Sequence, residues 1–189
     1  MGEHKMSMLD KAIIFAVERH SGSERKGTDI PYIVHPLEAV SIAAGMTDDP
    51  EILAAAVLHD VVEDTWTTME EIKTVFGERV EKLVAAESED KMPDVPPEQS
   101  WKARKEAAIK TLASAEYDAK IVALADKLSN IRAIHRDFDS IGDKLWERFN
   151  QKDKNEQAWY YREVGEALSE LKGHLAYQEY RRLVDEVFG

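Results

Sequence analysis

Apolar residues recur at helical spacing through most of this chain, and the stretches between them are short and polar. Leu9, Ala12, Ile13, Ala16 and Val17 mark one face of a helix over Met8 to Arg19. Ser21-Gly22-Ser23-Glu24-Arg25-Lys26-Gly27-Thr28-Asp29 has no periodicity and predicts a loop. Pro36 is tolerated in a first helical turn, so a second helix is expected from His35 to Ala44. A third is expected over Pro50 to Asp64. Thr67 followed by Glu70 has capping-box spacing and predicts a helix over Thr67 to Phe76, stopped by Gly77. Another follows over Glu78 to Glu87. Met92-Pro93-Asp94-Val95-Pro96-Pro97 is the clearest break, a loop inside one domain rather than a boundary. Helices are then predicted over 98–114, 117–134, 152–172 and 174–187, while 137–150 is ambiguous, with room for one short helix.

Composition agrees with an all-α domain, since glycine and proline are few and Ala, Glu, Leu and Lys are many. At 189 residues the chain reads as a single domain over 1–189, long enough to bury a core without staples. It has no cysteine, so disulfides, thiolate metal sites and thiol catalysis are excluded, and any metal must be held by nitrogen and oxygen. No apolar run approaches the roughly 20 residues that span a bilayer, and the first residues lead into no signal-peptide core. A soluble, cytoplasmic protein is therefore expected. The net charge of −12 argues against general nucleic-acid binding, though not against a small phosphate ligand in a locally cationic pocket. The oligomeric state stays open, a homodimer included.

The chemistry concentrates at His59-Asp60, which ends the apolar stretch Ile52 to Leu58 and is followed by Glu63 and Asp64. An unpaired buried charge costs several kcal/mol, so charged groups closing a core helix require a reason. On a continuous helix, His59 stacks with Glu63 and Asp60 with Asp64, one turn apart. The first pair can then act as ligands while Glu63 and Asp64 reach a water or substrate. Asp126 interrupts another apolar run, Ile121 to Ala125, and His35 lies at a predicted helix entrance. Two His and two Asp make a hard N/O set suited to Mn2+, Fe2+ or Mg2+. Singly, His35 reads better as a cap or packing residue, and Asp126 equally well as the partner of a lysine or arginine. Together and in this order they read as a metal site.

His35, His59-Asp60 and Asp126 resemble the metal motif of the HD phosphohydrolase superfamily. More narrowly, His20 to Pro36, Leu58-His59-Asp60-Val61-Val62-Glu63-Asp64-Thr65 and Leu124-Ala125-Asp126-Lys127-Leu128-Ser129-Asn130 resemble three ordered motifs of the RelA/SpoT-type alarmone hydrolases. The likeness is to the small, hydrolase-only, MESH1-like group. It implies a helical fold of about ten helices and one Mn2+ held by His35, His59, Asp60 and Asp126. It also implies hydrolysis of the 3′-pyrophosphate of ppGpp or pppGpp, with Glu63 and Asp64 activating and positioning water. Arg25 and Lys26 would lie over the nucleotide, where a planar guanidinium suits base or phosphate. Asn130 shares the helical face of Asp126 and is a pocket candidate. Of Trp159-Tyr160-Tyr161, one or two can face the substrate, with Tyr160 and Tyr161 the candidates.

One segment departs from the resemblance. A Val-Thr-Asp-Asp-Lys-like stretch is common in that group, and here it reads Glu87-Ser88-Glu89-Asp90-Lys91, with Glu87 in an apolar position. The shape of the pocket wall, and so the substrate, depends on it. Two other readings remain: a metal hydrolase acting on a different nucleotide, such as an NADPH-like 2′-phosphate or a nucleoside phosphate, and a non-catalytic nucleotide-binding module.

Overall fold

A computed structural model describes residues 5–88, 92 and 94–189. In chain order its α-helices are α1 (Met8–Arg19), α2 (Val34–Ala43), α3 (Pro50–Leu58), α4 (Val61–Asp64), α5 (Met69–Phe76), α6 (Glu78–Glu87), α7 (Pro97–Ala113), α8 (Tyr117–Ile141), α9 (Lys154–Ala167) and α10 (Leu175–Phe188). Short 3-10 segments run over Gly142–Arg148 and Ser169–Leu171. Every named element among the described residues is helical, as the pattern predicted, apart from an isolated bridge between Glu24 and Pro31 inside the predicted loop region.

The helix expected over Pro50 to Asp64 is broken. Asp49 caps the start of α3, accepting from the backbone of Glu51 and Ile52, and α3 ends at Leu58. The chain turns at His59-Asp60, and α4 begins at Val61. Consecutive side chains on an unbroken helix diverge by about 100°. Here His59 Nε2 and Asp60 Oδ2 lie 3.0 Å apart, while the Asp60 carbonyl accepts from the Asp64 N–H at 2.9 Å and keeps those two residues one turn apart as expected.

Other differences are local. The cap of α5 is Thr68, which accepts from the backbone of Glu71, rather than Thr67. Thr67 is buried, and its hydroxyl is engaged with that of Thr65 at 2.9 Å. α8 continues through the ambiguous region to Ile141, where Gly142 at φ 59° takes a conformation that costs glycine little and ends the helix. The rest of that region is the 3-10 segment. The helix expected over 152–172 stops at Ala167, and Ser169–Leu171 tightens into a 3-10 turn.

α8 is the central strut, packed against α2, α3, α6 and α10. α2 and α3 also pack on each other, so α2, α3 and α8 form a mutually contacting triangle. All three helices carry small buried residues: Ala39 and Ala43 on α2, Ala54, Ala55 and Ala56 on α3, Ala123 and Ala125 on α8. Alanine leaves little side chain between packed backbones.

Candidate metal centre

The triangle of helices delivers four polar side chains to one point. His35 comes from the first turn of α2, His59 and Asp60 from the break after α3, and Asp126 from the middle of α8. His35 Nε2 lies 3.1 Å from His59 Nε2 and 3.1 Å from Asp126 Oδ1. Asp60 Oδ2 lies 3.0 Å from His59 Nε2 and 3.3 Å from His35 Nε2, and Asp126 Oδ1 is 3.4 Å from His59 Nε2. Both histidines and Asp126 are buried.

The outward-facing atoms decide what the inward-facing ones can be. His59 Nδ1 donates to the carbonyl of Ala56 at 2.8 Å. Ser129 Oγ donates to Glu38 Oε2 at 2.8 Å, so toward His35 Nδ1, also 2.8 Å away, the serine oxygen is the acceptor. Each Nδ1 therefore carries a proton, and in a neutral ring each Nε2 presents a lone pair. Two lone pairs and two carboxylate oxygens then converge. That arrangement fits a divalent cation, and the acceptors behind each imidazole are the usual supports of metal-binding histidines.

The electrostatics point the same way. Burial disfavours the His59 imidazolium, yet Asp60 and Asp126 outweigh it and hold the imidazole pKa well above its usual value. Burial alone would raise Asp60, but His59 and His35 bring it well below the ordinary carboxylate range. Asp126 is lowered likewise, against burial, by Lys127 and the two histidines. The corner is one that demands positive charge. Asp126 converges with the histidines through Oδ1 and pairs with Lys127 through Oδ2.

Ser129 was not singled out from sequence, because a serine inside a helix carries no periodic signal. Ser129→Ala is expected to weaken divalent-metal binding about 10- to 100-fold, since His35 loses the acceptor that fixes its tautomer. Titration calorimetry with Mn2+ checks this, and an unchanged affinity would show that the Glu38–Ser129–His35 chain does not orient the imidazole. Tyr32 was also missed as a site residue. Its hydroxyl donates to Asp60 Oδ2 at 2.6 Å, and the buried His20 ring stacks on it at 4.8 Å. Burial holds His20 below its usual pKa, which makes it a neutral packing partner.

A cavity of ≈ 550 Å³ opens over the donors, in the range of small-molecule sites. Glu63, Asp64, Arg25, Asn130 and Tyr160 all line it. Arg25 donates to Asn130 Oδ1 at 2.8 Å, and Asn130 donates to Asp126 Oδ1 at 2.6 Å. A second cavity of ≈ 300 Å³ shares Arg25, Tyr32, His35 and Asn130 with the first. Lys26 and Tyr161 line that one instead, and Lys26 donates to Asn150 at 3.3 Å. Trp159 faces neither, packing against Trp101 and Lys102. The far wall of the larger cavity is cationic, with Arg104 and Lys105 from α7, which the sequence did not distinguish from a solvated face. Of the divergent segment, Glu87 and Ser88 line the cavity, while Glu89, Asp90 and Lys91 lie outside the described residues.

A helical bundle whose α2, α3 and α8 present two histidines and two aspartates at one corner is the architecture of an HD-type metal domain. Residues 12–153 match the family model described as HD domain, and the chain belongs to that family. Within it, the chain is 36% identical over 133 residues to a Danio rerio protein named guanosine-3′,5′-bis(diphosphate) 3′-pyrophosphohydrolase MESH1, covering 69% of this chain and 71% of that protein. It is 34% identical over 128 residues to GTP pyrophosphokinase rsh of Brucella ovis, covering 68% of this chain and 17% of that much longer protein. A solved structure described as a metazoan ortholog of SpoT that hydrolyzes ppGpp superposes with a TM-score of 0.73 at 25% identity, over 99% of this chain and 97% of that one. No helix among the described residues is long and apolar enough to cross a membrane.

Proposed function

We infer that this protein is a metal-dependent 3′-pyrophosphohydrolase of ppGpp and pppGpp, with Mn2+ as the working cation. The observation that carries the reading is that Asp60 Oδ2 and Asp126 Oδ1 each lie 3.0–3.4 Å from the Nε2 atoms of His35 and His59, themselves 3.1 Å apart, in a cavity also lined by Glu63 and Asp64. The printed activities of the MESH1 relative and of the SpoT ortholog support the choice of substrate.

A divalent cation held by the four donors supplies Lewis-acid polarisation of a phosphoryl oxygen and acidification of a water. The protein supplies the rest. Glu63 takes the proton of the attacking water, and Asp64 orients that water. Oxygen adds to the phosphorus next to the ribose, the bond from that phosphorus to O3′ breaks, and O3′ regains a proton from solvent. Pyrophosphate leaves, with GDP or GTP as the other product. In this reading Arg25, which lines both cavities and is bonded to Asn130, contacts the nucleotide, with Tyr160, Tyr161 and Lys26 as further contacts.

Pyrophosphate release from ppGpp is expected with purified protein, to disappear with EDTA and to return on adding Mn2+, more strongly than with Fe2+ or Mg2+. The same assay run on NADPH and simple nucleoside phosphates separates this reading from another nucleotide substrate. Tight binding of ppGpp without turnover, metal present, would mean a binding module and sink the hydrolase.

A further inference from the structure

Glu87 stands in the position where the resemblance leads one to expect an apolar residue, and its surroundings give it a task. It is the last residue of α6, lines the cavity over the metal corner, and its side chain is only 8% exposed. Its Oε2 lies 3.6 Å from Nζ of Lys127, whose ammonium also contacts Asp126 Oδ2. The three side chains form a buried row, Glu87–Lys127–Asp126, that ends on the centre: Asp126 Oδ1, on the other side of the same carboxylate, is 3.1 Å from His35 Nε2.

A cation fully committed to one oxygen of a carboxylate draws charge from the other and makes it a poorer donor. A second carboxylate that takes a share of the ammonium reverses part of that effect.

Building on the metal-site reading above, we propose that Glu87 is a positioning residue that acts through Lys127, dividing its ammonium between two carboxylates and so keeping Asp126 a strong donor to the metal. The apolar side chain expected there would leave Lys127 wholly on Asp126.

The test is Mn2+ binding to the full-length, nucleotide-free protein by titration calorimetry, alongside thermal melts. Glu87→Gln keeps the shape and removes the charge. It is expected to weaken Mn2+ binding roughly tenfold, an effect of the size expected for partly screened charges a few ångströms apart. The half-saturating Mn2+ concentration in turnover should rise by the same factor, with kcat at saturating Mn2+ retained. In a Lys127→Met background, Glu87→Gln should have no further effect on the metal. An unchanged Mn2+ affinity in Glu87→Gln would overturn the proposal. A full effect that persists in Lys127→Met would also overturn it, because Glu87 would then act directly on the metal rather than through the lysine. If the unsubstituted protein binds no Mn2+, the metal reading itself fails, which is a separate result.

Discussion

Asp126→Asn is expected to abolish turnover, lowering kcat/KM for ppGpp by about 10³-fold or more, a loss of roughly 4 kcal/mol of transition-state stabilisation. The carboxylate meets four groups at once: both imidazoles through Oδ1, Asn130 through the same oxygen, and Lys127 through Oδ2. Asparagine preserves the outline but removes the charge that draws a cation into the corner. It also leaves Lys127 without its nearest counter-ion, with Glu87 at 3.6 Å as the remaining acidic neighbour among the described residues. Breaking one side of a buried pair typically costs 3–5 kcal/mol; because Glu87 persists, about 3 kcal/mol of stability is expected to go. Calorimetry with Mn2+ and a pyrophosphate-release assay read the two losses separately. Full activity in this variant would remove Asp126 from the centre and the mechanism with it.

The second large effect is expected at Glu63. Glu63→Gln should lower kcat about 10²- to 10⁴-fold, the usual worth of a positioned general base. Glu63 lines the metal cavity from α4, immediately after the break that carries two of the donors, so it is near the cation without belonging to the converging set. Losing its charge should weaken Mn2+ by no more than about tenfold. The decisive reading is therefore kcat at saturating Mn2+, where the defect should remain. A variant fully rescued by excess metal would make Glu63 an electrostatic accessory to metal binding and leave water activation to another group. Asp64, beside it in the same cavity, would be the next to test.

Much of this could be read from the chain. The stretches with a clear 3.6-residue pattern are helical among the described residues, although the one over Pro50 to Asp64 is split at His59-Asp60, because an amphipathic or wholly apolar run has few other ways to bury its face. The ligand types stood out for a related reason: His59, Asp60 and Asp126 interrupt or close runs that are otherwise buried, and charge in such places is costly. Boundaries were less legible. Thr67 and Thr68 carry the same capping signal one residue apart, with Glu70 and Glu71 at matching distance, and the burial of Thr67 settled which one caps. The break at His59-Asp60 had no glycine or proline to announce it.

By itself, then, the sequence determined an all-helical chain, the identity of the four converging side chains and the acidic pair beside them, because each of these is a local property of residue type and spacing. The tertiary structure alone decided that both carboxylates come within 3.4 Å of both imidazoles. It also set the two imidazole tautomers through Ser129 and Ala56, separated Tyr160 from Tyr161 into different cavities, and joined Glu87 to Lys127. Those relations connect positions as far apart as His35 and Ser129, or Arg25 and Asn130, 94 and 105 residues distant along the chain. No periodicity encodes such a meeting. It follows from the packing of α2, α3 and α8 on one another.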